Sequence, residues 1–137
     1  MRQNKQSLFF TINTFLKTTL SLLMFLSFCA YSSQDISPDE LLKMDKGERL
    51  LLDVRTIQEY SEAHIPNSVN IPVNEIETSL DRLSEFKDFP IVVYCRSGFR
   101  AGKAIKMLEE NGFNKVFHLE GDMSGWQEDK RAVNSLK

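Results

Sequence analysis

The sequence predicts an α/β fold in which helices cover both faces of a central, mostly parallel sheet. Short apolar runs alternate along the chain with segments whose apolar residues recur every three or four positions. Two runs, Ile91–Tyr94 and Leu50–Val54 with its single Asp53, are typical of parallel strands buried on both faces. The chain has 137 residues, 42% of them hydrophobic and 26% charged, which favours one compact domain.

The first half of this fold begins with a helix start signal. Ser37 precedes Pro38 and is followed three positions later by Glu40, the pattern of a capping box with proline in the first turn. Gly47 marks the end of that helix, and Pro72 stops the second strand. The predicted elements are a helix from Pro38 to about Met44, a strand over Leu50–Val54, a helix over Thr56–Ala63 and a strand over Ser68–Ile71.

The second half repeats the alternation. Ile76, Leu80 and Leu83 lie at helical spacing, which predicts an amphipathic helix. Pro90 precedes a strand rich in β-branched residues. Gly112 supplies a C-terminal cap for the helix predicted to end at Asn111. The predicted elements are a helix over Glu75–Phe86, a strand over Ile91–Tyr94, a helix over Ala101–Asn111 and a strand over Lys115–Leu119.

The first 32 residues differ from the rest and are expected to be a signal peptide, with residues 33–137 as the single folded domain. Basic residues stand near the start, an apolar stretch runs from Leu20 to Ala30, and no acidic residue precedes Asp35. This stretch is shorter than the roughly 20 residues of a membrane span. We therefore expect export to a periplasmic or extracellular compartment. A lipid at Cys29, within a sequence faintly like a lipoprotein box, is the alternative and would anchor the protein to a membrane.

The net charge and the number of cysteines limit the classes of function that the chain can have. Without the leader, 14 basic residues face 19 acidic ones, which argues against a nucleic-acid partner. Of the two cysteines, only Cys95 lies in the expected mature chain, where it has no intramolecular partner. A lone thiol in an exported protein indicates either a reactive group or a buried, inert side chain.

The position of Cys95 favours the reactive alternative. It ends the predicted strand Ile91–Tyr94 and is followed by a short loop with Gly98, ahead of the helix that begins near Ala101. In α/β sheets ligands bind beyond the carboxyl ends of the strands, and a helix N-terminus with its free amides favours anions. Such amides, with nearby guanidinium groups, are expected to stabilise a nucleophilic thiolate.

The six residues Cys95-Arg96-Ser97-Gly98-Phe99-Arg100 resemble the active-site loop of the rhodanese family. Asp53-Val54-Arg55 and Glu59-Tyr60, the segment from His64 to Pro72, and the segment from Gly121 to Trp126 are similar to other signatures of that family. The resemblance covers residues 36–129. It implies a rhodanese-like fold in which the cysteine carries a sulfane sulfur as a persulfide.

The resemblance also implies a sulfurtransferase reaction. Thiosulfate or a similar small-molecule donor would load Cys95, and cyanide or a thiol, with a thioredoxin-like protein as a further candidate, would accept the sulfur. No metal or organic cofactor is implied. Arg96 and Arg100 are expected to hold the donor's oxyanion, and the amides from Arg96 through Ser97, Gly98, Phe99 and Arg100 to Ala101 to cradle the persulfide.

Several other polar residues are expected to be structural. Asp53, Arg55 and Glu59 are predicted to form a polar cluster that anchors the first strand, and His64 and His118 are not expected to be catalytic. Asp122 stands where the family commonly has a second glycine, and we expect it at the rim, away from the sulfur. Trp126 is predicted to pack at one end of the sheet. Phe99 is expected either to line the pocket mouth or to face the core.

Two other functions stay open from the residues. A cysteine-dependent phosphatase also combines a thiolate, a loop of amides and an arginine, but its loop has five residues between cysteine and arginine, whereas four separate Cys95 from Arg100. A non-catalytic rhodanese-like binding module is the other alternative. Such modules usually lack the cysteine.

Overall fold

The computed structural model describes residues 34–136, which form five strands and five α-helices. The signal peptide predicted for residues 1–32, and Cys29 with it, lies outside the described residues. Two 3-10 turns, Val73–Glu75 and Ser84–Phe86, flank the third helix. The strands are β1 (Gln34–Ile36), β2 (Leu50–Asp53), β3 (Ser68–Asn70), β4 (Ile91–Tyr94) and β5 (Val116–Leu119), and the helices are α1 (Pro38–Lys43), α2 (Ile57–Glu62), α3 (Ile76–Leu83), α4 (Phe99–Glu110) and α5 (Asp122–Glu128).

The strands form one parallel sheet in the order β1-β5-β4-β2-β3. The α/β fold with a parallel sheet that the sequence predicts is therefore confirmed. β4 lies at the centre, with Ile91 opposite Leu50 of β2 and Val116 of β5. A residue that follows a central strand is flanked by the ends of its neighbours, and Cys95 is such a residue.

Strands β2, β4 and β5 supply side chains to two separate cores by alternation. Leu50, Leu52 and Val54 face one side of the sheet, and Leu51 faces the other. Helices α3 and α4 close the first side, with Ile76 and Leu108 among their buried residues. The second side is closed by α1 and α5 through Leu41, Met123 and Trp126. Helices on both faces, and Trp126 as a packing residue, are thus confirmed.

Two elements were absent from the prediction. β1 has mostly exposed residues and pairs only with β5, so no apolar pattern marks it. α5 begins with Asp122 at φ 53° after Gly121 at φ 75°, and it contains a further glycine, Gly125. Left-handed backbone and glycine are typical of turns in a sequence, and this helix is stabilised by tertiary contacts, among them the packing of Met123 and Trp126 against the sheet.

A buried ion pair anchors the end of β2. The Arg55 side chain donates to both carboxylate oxygens of Asp53, with Nη2 at 2.6 Å from Oδ2, and the two side chains are 6% and 0% exposed. Arg55 Nη2 also donates to the carbonyl oxygen of Ala63, and Asn70 Nδ2 donates to the carbonyl oxygens of Asp53 and Arg55. The predicted structural role of Asp53 and Arg55 is confirmed.

Among residues 34–136, no helix is both long enough and apolar enough to cross a bilayer. The end of the described chain returns to the region around α2. His64 and Asn134 exchange two backbone hydrogen bonds of 2.9 Å, and the amide of Leu136 donates to the carbonyl oxygen of Ser61. The ring of His64 stacks on Tyr60, with centroids 3.9 Å apart, and its Nδ1 bonds the Tyr60 carbonyl oxygen. These contacts agree with a structural His64.

Replacing Arg55 by alanine is expected to lower the free energy of unfolding by about 3–5 kcal/mol, because the buried Asp53 carboxylate loses its partner. Urea unfolding followed by circular dichroism measures the change. Arg82→Ala, on the exposed face of α3, is the matched control and should stay within about 0.5 kcal/mol of the wild type. Equal effects of the two variants would contradict the role given to the pair.

Candidate active site

Cys95 follows the central strand β4 directly and is 1% exposed. The chain then turns through Arg96 and Ser97 to Gly98, whose φ of 96° is a conformation that residues with a side chain rarely adopt. This turn brings the Gly98 amide back to the sulfur, and the amide donates to Cys95 Sγ at 3.1 Å. The backbone therefore stabilises negative charge on the sulfur.

Helix α4 begins two residues earlier than the sequence predicts, at Phe99. Its first turn closes on the loop, since the amide of Gly102 donates to the carbonyl oxygen of Gly98 at 2.8 Å. Phe99 and Arg100 therefore belong to the helix, and the loop proper is Arg96–Gly98. The helix can begin at Phe99 because Gly98 itself makes the turn and because Ala101 is fully buried in the core. Phe99 is 80% exposed, so its side chain is available at the surface beside the loop.

Arg100 is held by Glu59 of α2. Its Nη1 and Nη2 donate to the two carboxylate oxygens of Glu59 at 2.6 and 2.9 Å. Glu59 also forms a capping box with Thr56, and these hydrogen bonds fix its side chain independently of Arg100. The hydrogen bonds from Arg100, with those from Thr56, outweigh partial burial and lower the pKa of Glu59 to about 2.

This ion pair changes the role expected for Arg100. The pKa of Arg100 is raised, chiefly by its hydrogen bonds with Glu59 and further by the neighbouring Cys95. Arg100 therefore lies near both the Glu59 carboxylate and the sulfur, and both of its terminal nitrogens donate to Glu59. The prediction that Glu59 joins the Asp53 and Arg55 cluster is only partly right, because the hydrogen-bond partners of its carboxylate are Arg100 and Thr56.

Asp122 lies beneath the loop, which corrects the expectation that it sits at the rim. Its side chain is 4% exposed, and Oδ1 accepts a hydrogen bond of 2.7 Å from the backbone amide of Cys95. The next two residues of α5 hold the same segment: the Met123 amide donates to the Cys95 carbonyl oxygen, and Ser124 donates to that of Arg96 through both its amide and its hydroxyl. The departure from the family pattern thus lies in direct contact with the cysteine.

His118 binds Asp122 from the end of β5. Its Nε2 lies 3.0 Å from Asp122 Oδ2, and its Nδ1 lies 3.2 Å from Asp35 Oδ1 of β1. The hydrogen bond with Asp122 is the main cause of a raised pKa for His118, with Asp35 adding to it and burial opposing it. The His118 ring therefore links two carboxylates, one of which accepts the hydrogen bond from the Cys95 amide.

A cavity of about 270 Å³ opens beside the loop. Arg55, Glu59 and Glu62 line one side, and Arg96, Met123 and Ser124 are among the residues of the other. Cys95 itself does not line it. Within the described part of the chain Arg96 has no ion pair, so its exposed guanidinium is free to bind an anion at this cavity. Among residues 34–136, no three His, Cys, Asp or Glu side chains are arranged so that they could hold a metal ion.

The structure thus brings together Cys95, Gly98, Arg100 and, through the cavity, Arg96. Three further residues, Glu59, His118 and Asp122, are named from the sequence with other roles, and their contacts with this group were not predicted. Glu59 carried a usable signal, because the Thr56–Glu59 spacing is that of a capping box. His118 and Asp122 are four residues apart, a spacing that predicts a contact only on a helix, and here a strand, a turn and a helix start connect them.

Comparison with known proteins identifies similar chains. A family model described as rhodanese-like domain matches residues 37–129. YrkF of Bacillus subtilis, named as a candidate sulfur carrier protein, is 40% identical over 85 residues, which are 61% of this chain and 45% of YrkF. The tRNA uridine(34) hydroxylase of Escherichia coli strain K12 is 38% identical over 82 residues, 57% of this chain and 23% of that protein. The matched region spans less than half the length of these curated relatives.

A solved structure shows the same fold. The rhodanese-related protein of Thermoplasma volcanium superposes with a TM-score of 0.66 at 28% identity, and the alignment covers 76% of this chain and 99% of that protein. The near-complete coverage of that smaller protein indicates that the described residues correspond to one whole unit of this fold.

Removing the charge of Glu59 is expected to flatten the dependence of stability on pH. Because its pKa is lowered to about 2 in the folded state, the wild type gains stability above the ordinary pKa of a glutamate and loses it as the pH falls towards 2. Glu59→Gln should remove a contribution of about 1 kcal/mol, given the partial exposure of the pair. Thermal unfolding between pH 2 and pH 6 measures it.

The control for this comparison is Glu77→Gln, an exposed carboxylate on α3. It should leave the pH dependence of the wild type unchanged. A Glu59→Gln protein whose unfolding temperature falls with acid as steeply as that of the wild type would show that the Arg100 pair adds no stability.

Proposed function

The chain belongs to the rhodanese-like domain family, and we propose from this premise that it is a sulfurtransferase whose catalytic residue is Cys95. The observation that carries the proposal is the hydrogen bond of 3.1 Å from the Gly98 amide to Cys95 Sγ. A backbone donor aimed at the sulfur favours an anionic sulfur over a neutral thiol. The sulfur is also held at the end of a central strand, with a helix N-terminus beside it.

The proposed reaction has two displacement steps. The Cys95 thiolate attacks the outer sulfur of thiosulfate or a similar donor. A sulfur–sulfur bond forms to Cys95 while the donor's own sulfur–sulfur bond breaks, and sulfite leaves with the electron pair. Cyanide or a thiolate then attacks the outer sulfur of the persulfide, which releases thiocyanate or a new persulfide and regenerates the Cys95 thiolate. Neither step needs a metal or an organic cofactor.

The residues around the sulfur supply charge and orientation. Arg96 is the cation available to a donor's sulfonate group, because it lines the cavity without a carboxylate partner among residues 34–136. Arg100 stabilises charge near the sulfur from its fixed position against Glu59. The amides of the segment Arg96–Ala101, which includes Ser97 and Phe99, are the proposed cradle for the outer sulfur, with Gly98 already bonded to Sγ.

The buried position of the sulfur suits a small donor. Cys95 is 1% exposed, and the adjacent cavity has a volume of about 270 Å³. A compact anion fits a cavity of this size, whereas a bulky protein substrate has poor access to the buried sulfur. An acceptor thiol, free or on a thioredoxin-like protein, must approach over the loop. The exposed Phe99 offers apolar contact to such a partner.

Incubation with thiosulfate is expected to increase the mass of the protein by one sulfur atom, and cyanide should then remove it. Cys95→Ser should gain no sulfur, because no other cysteine lies in residues 34–136. Intact-mass spectrometry in the absence of reductant measures the change, and thiocyanate release measures the turnover. Arg82→Ala serves as the control and should behave as the wild type.

The same preparation distinguishes the other candidate activities. Faster hydrolysis of an aryl phosphate than release of thiocyanate would assign a phosphatase and refute the sulfurtransferase. Full sulfur transfer by Cys95→Ser would equally refute the role of Cys95. Four residues between Cys95 and Arg100 make a small ring of amides, which supports sulfur over a phosphoryl group.

We further propose that residues 1–32 direct export of the protein to a periplasmic or extracellular compartment. Expression of the full chain in a Gram-negative host should place the mature protein in the periplasmic fraction, with an N-terminal sequence that begins near Ser33. A lipid on Cys29 would instead place it in the membrane fraction with a blocked N-terminus. Recovery of uncleaved protein from the cytoplasm would contradict export.

A further inference from the structure

The pair formed by Asp122 and His118 has no part in the reaction described above, yet it contacts the sulfur loop at Cys95 and lies close to the loop at Gly98. Asp122 Oδ1 accepts the Cys95 amide at 2.7 Å. At the other end, a methyl group on Gly98 would lie 3.4 Å from Asp122 Oδ2 and 3.7 Å from the His118 ring. The pair therefore also limits the space beside the Gly98 turn.

A carboxylate in this place creates an electrostatic conflict. Asp122 is nearly fully buried and lies one hydrogen bond from the residue whose sulfur is to carry negative charge. An uncompensated carboxylate bonded to the amide of Cys95 opposes a thiolate on the same residue, because like charges that lie close together repel in a partly buried site. A cation against Asp122 removes this opposition.

His118 is the cation that the fold supplies. Its charged neighbours are Asp122 from the start of α5 and Asp35 from β1, and the apolar Val93 of β4 lies opposite it in the sheet. From the loop side Gly98 packs near the ring, and the titratable and charged groups of that segment are Cys95 and Arg96. Two carboxylates against one imidazole favour its protonated form, and the pKa of His118 is raised accordingly.

We propose that Asp122 and His118 are positioning residues for the sulfur site: Asp122 fixes the amide of Cys95, and protonated His118 cancels the negative charge that Asp122 brings beside the thiolate. The inference rests on the proposed sulfurtransferase function. It makes sulfur loading dependent on a histidine that does not touch the donor.

The sign of the pH dependence follows from this arrangement. His118 keeps its proton to a higher pH than an ordinary histidine, so the site is compensated on the acid side of that raised pKa. When the pH rises through the pKa of His118, the proton is lost and the Asp122 carboxylate at the Cys95 amide is left without a cation. Persulfide formation should therefore decline on the alkaline side of the raised pKa of His118.

The first test measures the rate of persulfide formation from thiosulfate against pH in single-turnover experiments. His118→Gln should abolish the alkaline decline and slow the reaction about tenfold near pH 6, as expected for one uncompensated charge at an effective dielectric constant of about 20. Asp122→Asn keeps an acceptor for the Cys95 amide and should shift the decline to lower pH. The double variant should recover most of the lost rate, since no uncompensated carboxylate is left.

His64→Gln is the matched control, because it removes the other histidine of the chain and should leave the alkaline decline in place. An alkaline decline that persists in His118→Gln would overturn the proposal. So would a double variant as slow as His118→Gln alone, because a merely structural role predicts added damage and no recovery.

The second test needs no sulfur transfer. The chain has two histidines, so the His118 ring signals can be assigned by NMR with His64→Gln as reference. Coupling is reciprocal, so if the thiolate favours the imidazolium, Cys95→Ser must lower the pKa of His118. Identical titrations of His118 in the two proteins would overturn the proposal. A wild type that forms no persulfide but shows this shift would refute the sulfurtransferase while leaving the charge coupling established.

Discussion

The hydrogen bond between the Cys95 amide and the buried Asp122 carboxylate is the contact that joins the centre of the sheet to the candidate active site. β4 ends at Tyr94, so the first amide beyond it has no strand partner on that side. Asp122 satisfies it, and the amides of Met123 and Ser124 bind the next two carbonyl oxygens. These hydrogen bonds fix the backbone of Cys95 and Arg96. The rest of the loop is shaped by the turn at Gly98, which points the Gly98 amide at the sulfur.

Charge around the sulfur is arranged in pairs. Arg100 is neutralised by Glu59, and Asp122 by His118, so neither a free cation nor a free anion is left buried beside Cys95. Fixed pairs cost little reorganisation when charge develops on a substrate, which is the condition for effective electrostatic stabilisation. The unpaired cation among residues 34–136 at this site is Arg96, which lies at the surface where a donor anion arrives. The site thus has two paired sets of charges that stay in place and one further cation, Arg96, that is available to a ligand.

The two cores hold these pairs at their distances. α4 packs Ala101, Ala104 and Leu108 on one face of the sheet, which fixes the helix that starts directly after Gly98. On the other face Met123 and Trp126 hold α5, whose first residue is Asp122. The cysteine therefore lies where both layers meet the sheet, and a shift of either helix by a fraction of an ångström changes a hydrogen bond to the loop. Close packing of both layers is what keeps this geometry.

Local signals in the sequence determined the core of the fold and the position of the nucleophile. Continuous apolar runs identified β2 and β4, spacing at three and four identified α3 and α4, and the loop from Cys95 to Arg100 identified the sulfur site, because each of these features depends on neighbours in the chain. β1, α5 and the partners of the site did not follow from such signals. β1 pairs on one side only, α5 starts in left-handed backbone, and the contacts of Glu59 with Arg100 and of Asp122 with Cys95 join residues 41 and 27 positions apart. Only the tertiary structure decides such contacts, since they depend on which strands become neighbours and on which loops then meet at one edge of the sheet.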